Sequence, residues 1–213
     1  VIAKSINPSG GGGDIPEGWT EGTVAPSISP EVESELESCA SGGCDDPSGT
    51  ELTAGTYNAS GTPEFDGITF NTSDGDITVV TGGDLELNDI EITGGGNVTM
   101  YVRGELAVDS AVNDGGNATQ LVSLVHSDGG VRFDGNSDYT GVIYAPKSDL
   151  TFNGAPAISY RGALVAEDLN INGNIKKFDF EADPNLSEFR IVTGSRALTY
   201  LHVSENGIEV DLD

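Results

Sequence analysis

One short unit recurs through the middle of this sequence at nearly constant spacing. An acidic residue or glycine is followed by apolar-x-apolar and then Asn or Asp. It reads Asp84-Leu85-Glu86-Leu87-Asn88, Glu105-Leu106-Ala107-Val108-Asp109, Gly130-Val131-Arg132-Phe133-Asp134, Asp149-Leu150-Thr151-Phe152-Asn153 and Asp168-Leu169-Asn170-Ile171-Asn172. The starts at 84, 105, 130, 149 and 168 lie 21, 25, 19 and 19 residues apart. A second apolar stretch falls between units, at 98–102, 121–125, 141–145 and 162–166. No helical period appears between Leu52 and Phe180.

A repeat of this length is one turn of a β-solenoid with two or three short strands per coil. Strand side chains alternate faces, so the two apolar residues of each unit point inward and stack on those of the next coil. The Asn or Asp sits at a corner, where it tolerates the left-handed conformation. Stacked corners can also bond from coil to coil. The expected fold is therefore all-β: a single-stranded parallel β-helix of about six coils, roughly 29 Å long at about 4.8 Å per coil. An antiparallel sandwich also has short strands and regular turns, but it needs no repeated sequence.

The flanks differ. Residues 1–7 form a partly apolar arm beginning Val1-Ile2-Ala3, and 8–28 are rich in Gly and Pro, as in a linker. Ser29 and Pro30 suit a helix start, and Val32, Leu36 and Cys39 share one face, which predicts a capping helix over 30–39. Cys39 and Cys44 are the only cysteines, separated by a Gly-containing loop that can close a disulfide; free thiols are the alternative. A disulfide implies an oxidising, extracellular setting. After Asp183-Pro184 the repeat stops, and strands are expected at 189–193, 198–204 and 207–211, the last two joined by Asn206-Gly207. The domain division is thus 1–50, 51–183 and 184–213. The sequence begins with Val1 rather than Met, which is expected if a signal or anchor has been removed or the chain is a fragment.

Charge narrows the partners. The chain has 9 Lys plus Arg against 35 Asp plus Glu, a formal net charge of −26. Nucleic acid and anionic membrane surfaces would repel it. No apolar run reaches the roughly 18–20 residues that span a bilayer. The acids are spread along the chain, as in a salt-adapted surface whose repulsion is screened over about 10 Å at 0.1 M salt and about 3 Å at 1 M.

The runs Gly141-Val142-Ile143-Tyr144-Ala145-Pro146, Arg161-Gly162-Ala163-Leu164-Val165-Ala166, Leu169-Asn170-Ile171-Asn172-Gly173-Asn174 and Leu198-Thr199-Tyr200-Leu201-His202-Val203-Ser204-Glu205-Asn206 resemble haloarchaeal secreted and pilin-like surface proteins of unassigned function. The resemblance covers most of 50–210. It implies a surface β-helix protein and brings no catalytic residues.

Chemistry is sparse. A lyase would need a cationic base, for which Arg103, Arg132, Arg161 and Lys147 are candidates, beside calcium-holding carboxylates such as Asp128, Asp134, Asp138 and Asp149. Acids are so common here that this proximity carries little. His126 and His202 lie in no nucleophile motif. No cofactor motif is present. Asp74-Gly75-Asp76 and Asp45-Asp46 are candidate calcium ligands, but neither matches an EF-hand or a calcium β-roll. Five Asn-x-Ser/Thr sequons stand at Asn58, Asn71, Asn97, Asn117 and Asn185, although a chain this rich in Asn, Ser and Thr also produces sequons by chance. Tyr139, Tyr144 and Tyr160 are the candidates for stacking on glycans; ordinary packing between coils is the simpler role.

The leading expectation is a non-enzymatic extracellular structural protein, a homopolymer in which a strand of one subunit adds to a neighbour's sheet edge. Val1, Ile2, Ile191, Leu201 and Val203 are its expected anchors. The alternatives are a tethered glycan-binding adhesion module and, behind it, a polysaccharide lyase or hydrolase.

Overall fold

Apolar-x-apolar strands can bury their inward side chains only by stacking, and the chain does this in a parallel β-solenoid that makes about five turns between its first and its sixth coil. The computed structural model describes residues 2–8, 20–21, 37–39, 44–59, 61, 63–126, 130–153, 158–172, 178–181, 192–193, 196–204 and 207–212. Among the described residues two strands precede the coils, β1 (Ile2–Pro8) and β2 (Thr20–Glu21). Each coil then visits three faces in order. The first coil holds β3 (Glu51–Leu52), β4 (Gly55–Ala59) and β5 (Glu64–Asp66). The second holds β6 (Thr69–Thr72), β7 (Ile77–Thr81) and β8 (Leu85–Asn88). The third holds β9 (Glu91–Gly94), β10 (Val98–Val102) and β11 (Leu106–Val108).

In the fourth coil the first face shrinks to Val112, which bridges Ile90 below and Tyr139 above. A single 3-10 turn, Ala118–Gln120, follows, capped by Asn117, and leads into β12 (Leu121–Val125) and β13 (Val131–Phe133). This insertion accounts for the 25-residue offset in the repeat. In the fifth coil β14 (Asp138–Ala145) crosses from the first face to the second, and β15 (Leu150–Asn153) forms the third. In the sixth, β16 (Ile158–Asn172) runs across all three faces. A seventh turn begins with β17 (Phe178–Glu181) on the first face. Beyond it, β18 (Val192–Thr193), β19 (Arg196–Ser204) and β20 (Gly207–Leu212) form a small antiparallel sheet, the strand module expected at this end.

The strands stack in register, so the core is a set of columns. On the second face Tyr57, Val79, Met100, Ser123, Ile143 and Leu164 lie above one another. On the third, Phe65, Leu87, Val108, Phe133, Phe152 and Ile171 do so. Most of these side chains are fully buried, each worth roughly 1.5–3 kcal/mol relative to exposure.

The polar positions of the repeat hold the coils together as well. Asn172 Nδ2 donates to Asn153 Oδ1 at 3.3 Å, and Asn153 Nδ2 donates to Asp134 Oδ1 at 2.9 Å, a ladder along one corner. Asp84 Oδ1 accepts the backbone N–H of Glu105, 21 residues on, at 2.8 Å, and Asp76 Oδ1 accepts that of Asn97 at 2.8 Å. An acidic residue at these corners therefore bonds the next coil's backbone, a charge-assisted bond stronger than a neutral one.

Of the helix expected over 30–39, residues 30–36 lie outside the described residues, and 37–39 are helical. What covers the second-face edge of the first coil, among the described residues, is a single extended rung. Asp45 N donates to Thr56 O at 3.0 Å, and Asn58 N donates to Asp45 O at 2.9 Å. The Cys39–Cys44 disulfide, with Cα atoms 4.8 Å apart, closes the loop immediately before this rung.

Candidate assembly site

A parallel solenoid ends in a row of unpaired backbone groups, which recruits other strands unless something pairs with it. At the late pole that edge is β16. Its first-face part is paired by β17, the next segment of the chain. Its second- and third-face parts are paired by β1, from the opposite end of the sequence. The register is parallel: Ile2 lies opposite Val165, Ala3 opposite Ala166, Ser5 opposite Asp168, Ile6 opposite Leu169, Asn7 opposite Asn170 and Pro8 opposite Ile171. The seventh turn is thus assembled from both flanks of the repeat. β2 pairs in turn with the outer side of β1, Thr20 opposite Ile2 and Glu21 opposite Ala3. Pro8 has no N–H to donate, so it suits the end of an added strand.

The arm residue Ile2 is therefore part of a strand added to the β16 edge, between Val165 of β16 and Thr20 of β2. Leu201 and Val203 lie in β19, opposite Val210 and Ile208 of β20, so their backbone is already paired. Val1 and Ile191 lie outside the described residues. The acceptor stretch 165–171 was missing from the expected anchors. That it forms a terminal edge depends on the repeat stopping after one more strand, which a local pattern does not reveal.

The three tyrosines that were candidates for stacking on glycans are buried, as the simpler packing role requires. Tyr139 and Tyr160 are 1% exposed and Tyr144 is 2% exposed. Tyr139 and Tyr160 point into the solenoid, where their rings stack at 5.4 Å and meet Phe133 edge-on. Their hydroxyls are satisfied inside: Tyr139 pairs with Ser123 Oγ at 3.0 Å, and Tyr160 donates to Ala163 O at 2.8 Å. Burial pushes all three phenols up, Tyr144 to about 12. Their folded pKa values thus lie above the unfolded value of about 10. The associated stability is fully present below pH 10 and is lost as pH rises from there through the folded values. Denaturant midpoints should hold up to about pH 10 and then fall, by up to about 1.4 kcal/mol per pH unit for each phenol that ionises only on unfolding. A flat profile up to about pH 12 would contradict this placement.

The lateral faces carry charge. Arg132 Nε donates to Glu105 Oε1 at 3.1 Å, its guanidinium pairs with Asp134, and Nη1 lies 3.9 Å from Asp109 Oδ1. Arg132, one of the four candidate lyase bases, is thus engaged by three carboxylates from its own and the preceding coil. Burial pushes the Asp109 carboxyl up, the Arg132 charge draws it back, and Glu86 and Glu105 push it up further. Arg161 Nη1 donates to Gly116 O at 3.5 Å, and Arg103 and Lys147 are on the surface. Asp128 lies outside the described residues. Among the described residues no three His, Cys, Asp or Glu side chains are placed to hold a metal ion, and no helix is long and apolar enough to cross a membrane. At the early pole a hollow of about 330 Å³ lies over Leu52, Ala59 and Phe65, rimmed by Asp46, Ser48 and Glu64.

Of the sequons, Asn97 and Asn117 are exposed. Asn58 and Asn71 are half-buried, and Asn71 Nδ2 donates to Glu51 Oε1 at 2.7 Å. Asn185 lies outside the described residues.

The family described as "Domain of unknown function (DUF7305)" matches residues 11–189, which take in every coil. No curated protein and no solved structure matches the chain.

Proposed function

This chain belongs to the DUF7305 family, a domain of unknown function, and from that premise we propose that it is a non-enzymatic extracellular structural protein, a subunit of a pilus-like surface filament built by strand addition between copies. The observation that carries this reading is β1, a strand remote in sequence that adds in parallel register to the terminal edge of the rod. A rod whose last turn is completed by a separate strand has the parts for head-to-tail growth, and a heterologous contact of that kind makes an open fibre.

Three further features support the reading. The disulfide Cys39–Cys44 fits an oxidising exterior. The net charge of −26 fits a saline one, and haloarchaeal surface proteins are what the sequence resembles. The burial of Tyr139, Tyr144 and Tyr160 removes the aromatic row on which a glycan-binding adhesion role rested.

The test is cryo-electron microscopy of the protein as recovered from the cell surface, kept in concentrated salt. Filaments with solenoids stacked pole to pole are expected. Isolated short rods, at every salt and protein concentration tried, would overturn the filament role.

A further inference from the structure

We propose that β1 is an exchangeable strand. In the filament it leaves its own β16 and occupies the same edge, residues 165–171, of the neighbouring copy. This rests on the filament reading above and adds to it the acceptor, the register and the closed form that competes with growth.

The argument starts from where β1 is attached. Along the second face the rungs run from Asp45 through β4, β7, β10, β12, β14 and β16 to β1 and β2. From the Asp45 rung to β2 is eight steps, about 38 Å at about 4.8 Å each. Only residues 22–44 join these two rungs. They are long enough to do so, at up to about 3.3 Å per residue, although the two rungs stand at opposite ends of the rod. In a pole-to-pole stack the early pole of one copy faces the late pole of the next. There β1 and β2 of one copy would lie on its neighbour's β16 within about one rung of their own Asp45. The backbone pairing is unchanged, since the strand and the edge are the same. Only the connection shortens.

Parallel register makes the exchange productive. All coils of the solenoid run parallel, so a β1 layer held by the neighbour continues one stack through the junction. An antiparallel arm would instead terminate it. The closed monomer makes the same bonds internally, and its arm is held at high effective concentration by its own tether. Growth therefore waits on release of β1, and on salt to screen the approach of copies each carrying a net charge of −26.

The test uses the full chain with Asn7→Cys and Asn170→Cys. These positions are opposed in the register, and adjacent strands place their Cα atoms at about 4.8 Å, within disulfide reach. Filaments grown in concentrated salt, oxidised and then dissolved in denaturant without reductant should give a covalent ladder of oligomers. The same variant oxidised in dilute solution should give single chains with an internal 7–170 bond. Filaments that dissolve into single chains, each with the internal bond, would overturn exchange while leaving the filament role standing. No filament under any condition, with only internal bonds, would overturn both. A second variant lacking residues 1–8 guards against misfolding of the first. It should fail to polymerise, and it should bind a synthetic peptide of residues 1–8 at its vacated edge; failure of that peptide to bind would overturn the assignment of the edge.

Discussion

Gly162→Ala is expected to unfold the late pole of the solenoid and leave the early coils folded. Gly162 has φ +142°, where L side chains are strained. It lies directly above Gly141 in the stack. A methyl group at Gly162 would fall on the carbonyl oxygen of Gly141 and within 2.8 Å of its carbonyl carbon. Neither atom can turn aside, because both are backbone in a paired strand. The strained conformation alone costs about 1–3 kcal/mol, and the clash adds to it. We expect a loss of at least about 4 kcal/mol, a large part of a domain's net stability of about 5–15 kcal/mol. Coils touch only their neighbours, so the damage should remain local. Hydrogen exchange should accelerate through β14, β16 and β1 while β4, β7 and β10 keep their protection. Gly95→Ala is the control: nothing lies within 4 Å of the added carbon, and its stability should change by under about 0.5 kcal/mol. On the strand-exchange proposal above, the same substitution removes the 165–171 acceptor edge but spares β1 as a donor, so Gly162→Ala chains added to wild-type protein should block polymer growth. A melting midpoint like that of Gly95→Ala would show that the stack opens at this corner.

The third face was legible because its residues repeat as a motif. The five units at 84–88, 105–109, 130–134, 149–153 and 168–172 are β8, β11, β13, β15 and the end of β16, with the apolar residues inward as alternation requires. The second face followed from the apolar runs between them. The first face did not. Its early strands are only two to four residues long, and it is reduced to the single residue Val112 in the fourth coil, so no periodicity survives there. The sequence left the tyrosines two roles, packing between coils or stacking on glycans, for a physical reason. A phenol looks like a surface group until a carbonyl is found for it inside. The signal was present as Tyr139-Thr140-Gly141 and Tyr160-Arg161-Gly162, the same spacing one coil apart. A glycine two residues on removes the side chain from the position beside the ring: a Cβ at Gly141 would stand 2.9 Å from the Tyr139 ring. The arm was read as adhesive, but its acceptor was not, since an edge exists only once the strands are stacked.

Phe133→Ala should be the most damaging truncation in the core, costing about 4–5 kcal/mol, the upper part of the range for removing a buried phenylalanine. The ring is fully buried at the centre of an aromatic cluster, 4.8 Å from Phe152, 5.7 Å from Tyr139 and 6.0 Å from Tyr160. Aromatic pairs of this geometry contribute about 0.5–1.5 kcal/mol each beyond burial. The upper range follows from what the neighbours cannot do. Tyr139 is held by Ser123, and Tyr160 by the carbonyl oxygens of Gly141 and Ala163, so neither ring can slide into the void without abandoning a buried hydrogen bond. Phe152 is fixed in the next coil by strand pairing on both sides. Phe65→Ala, in the same column but in the first coil, should cost less, about 2–3 kcal/mol, because its ring borders the early-pole hollow and, among the described residues, meets one aromatic ring, Phe70, at 6.1 Å. Urea denaturation in concentrated salt measures both. Equal losses would mean that position along the rod does not set how firmly the core is held. A loss below about 2 kcal/mol at Phe133 would mean that the cluster collapses into the cavity, and that the tyrosine hydroxyl bonds are weaker constraints than their burial implies.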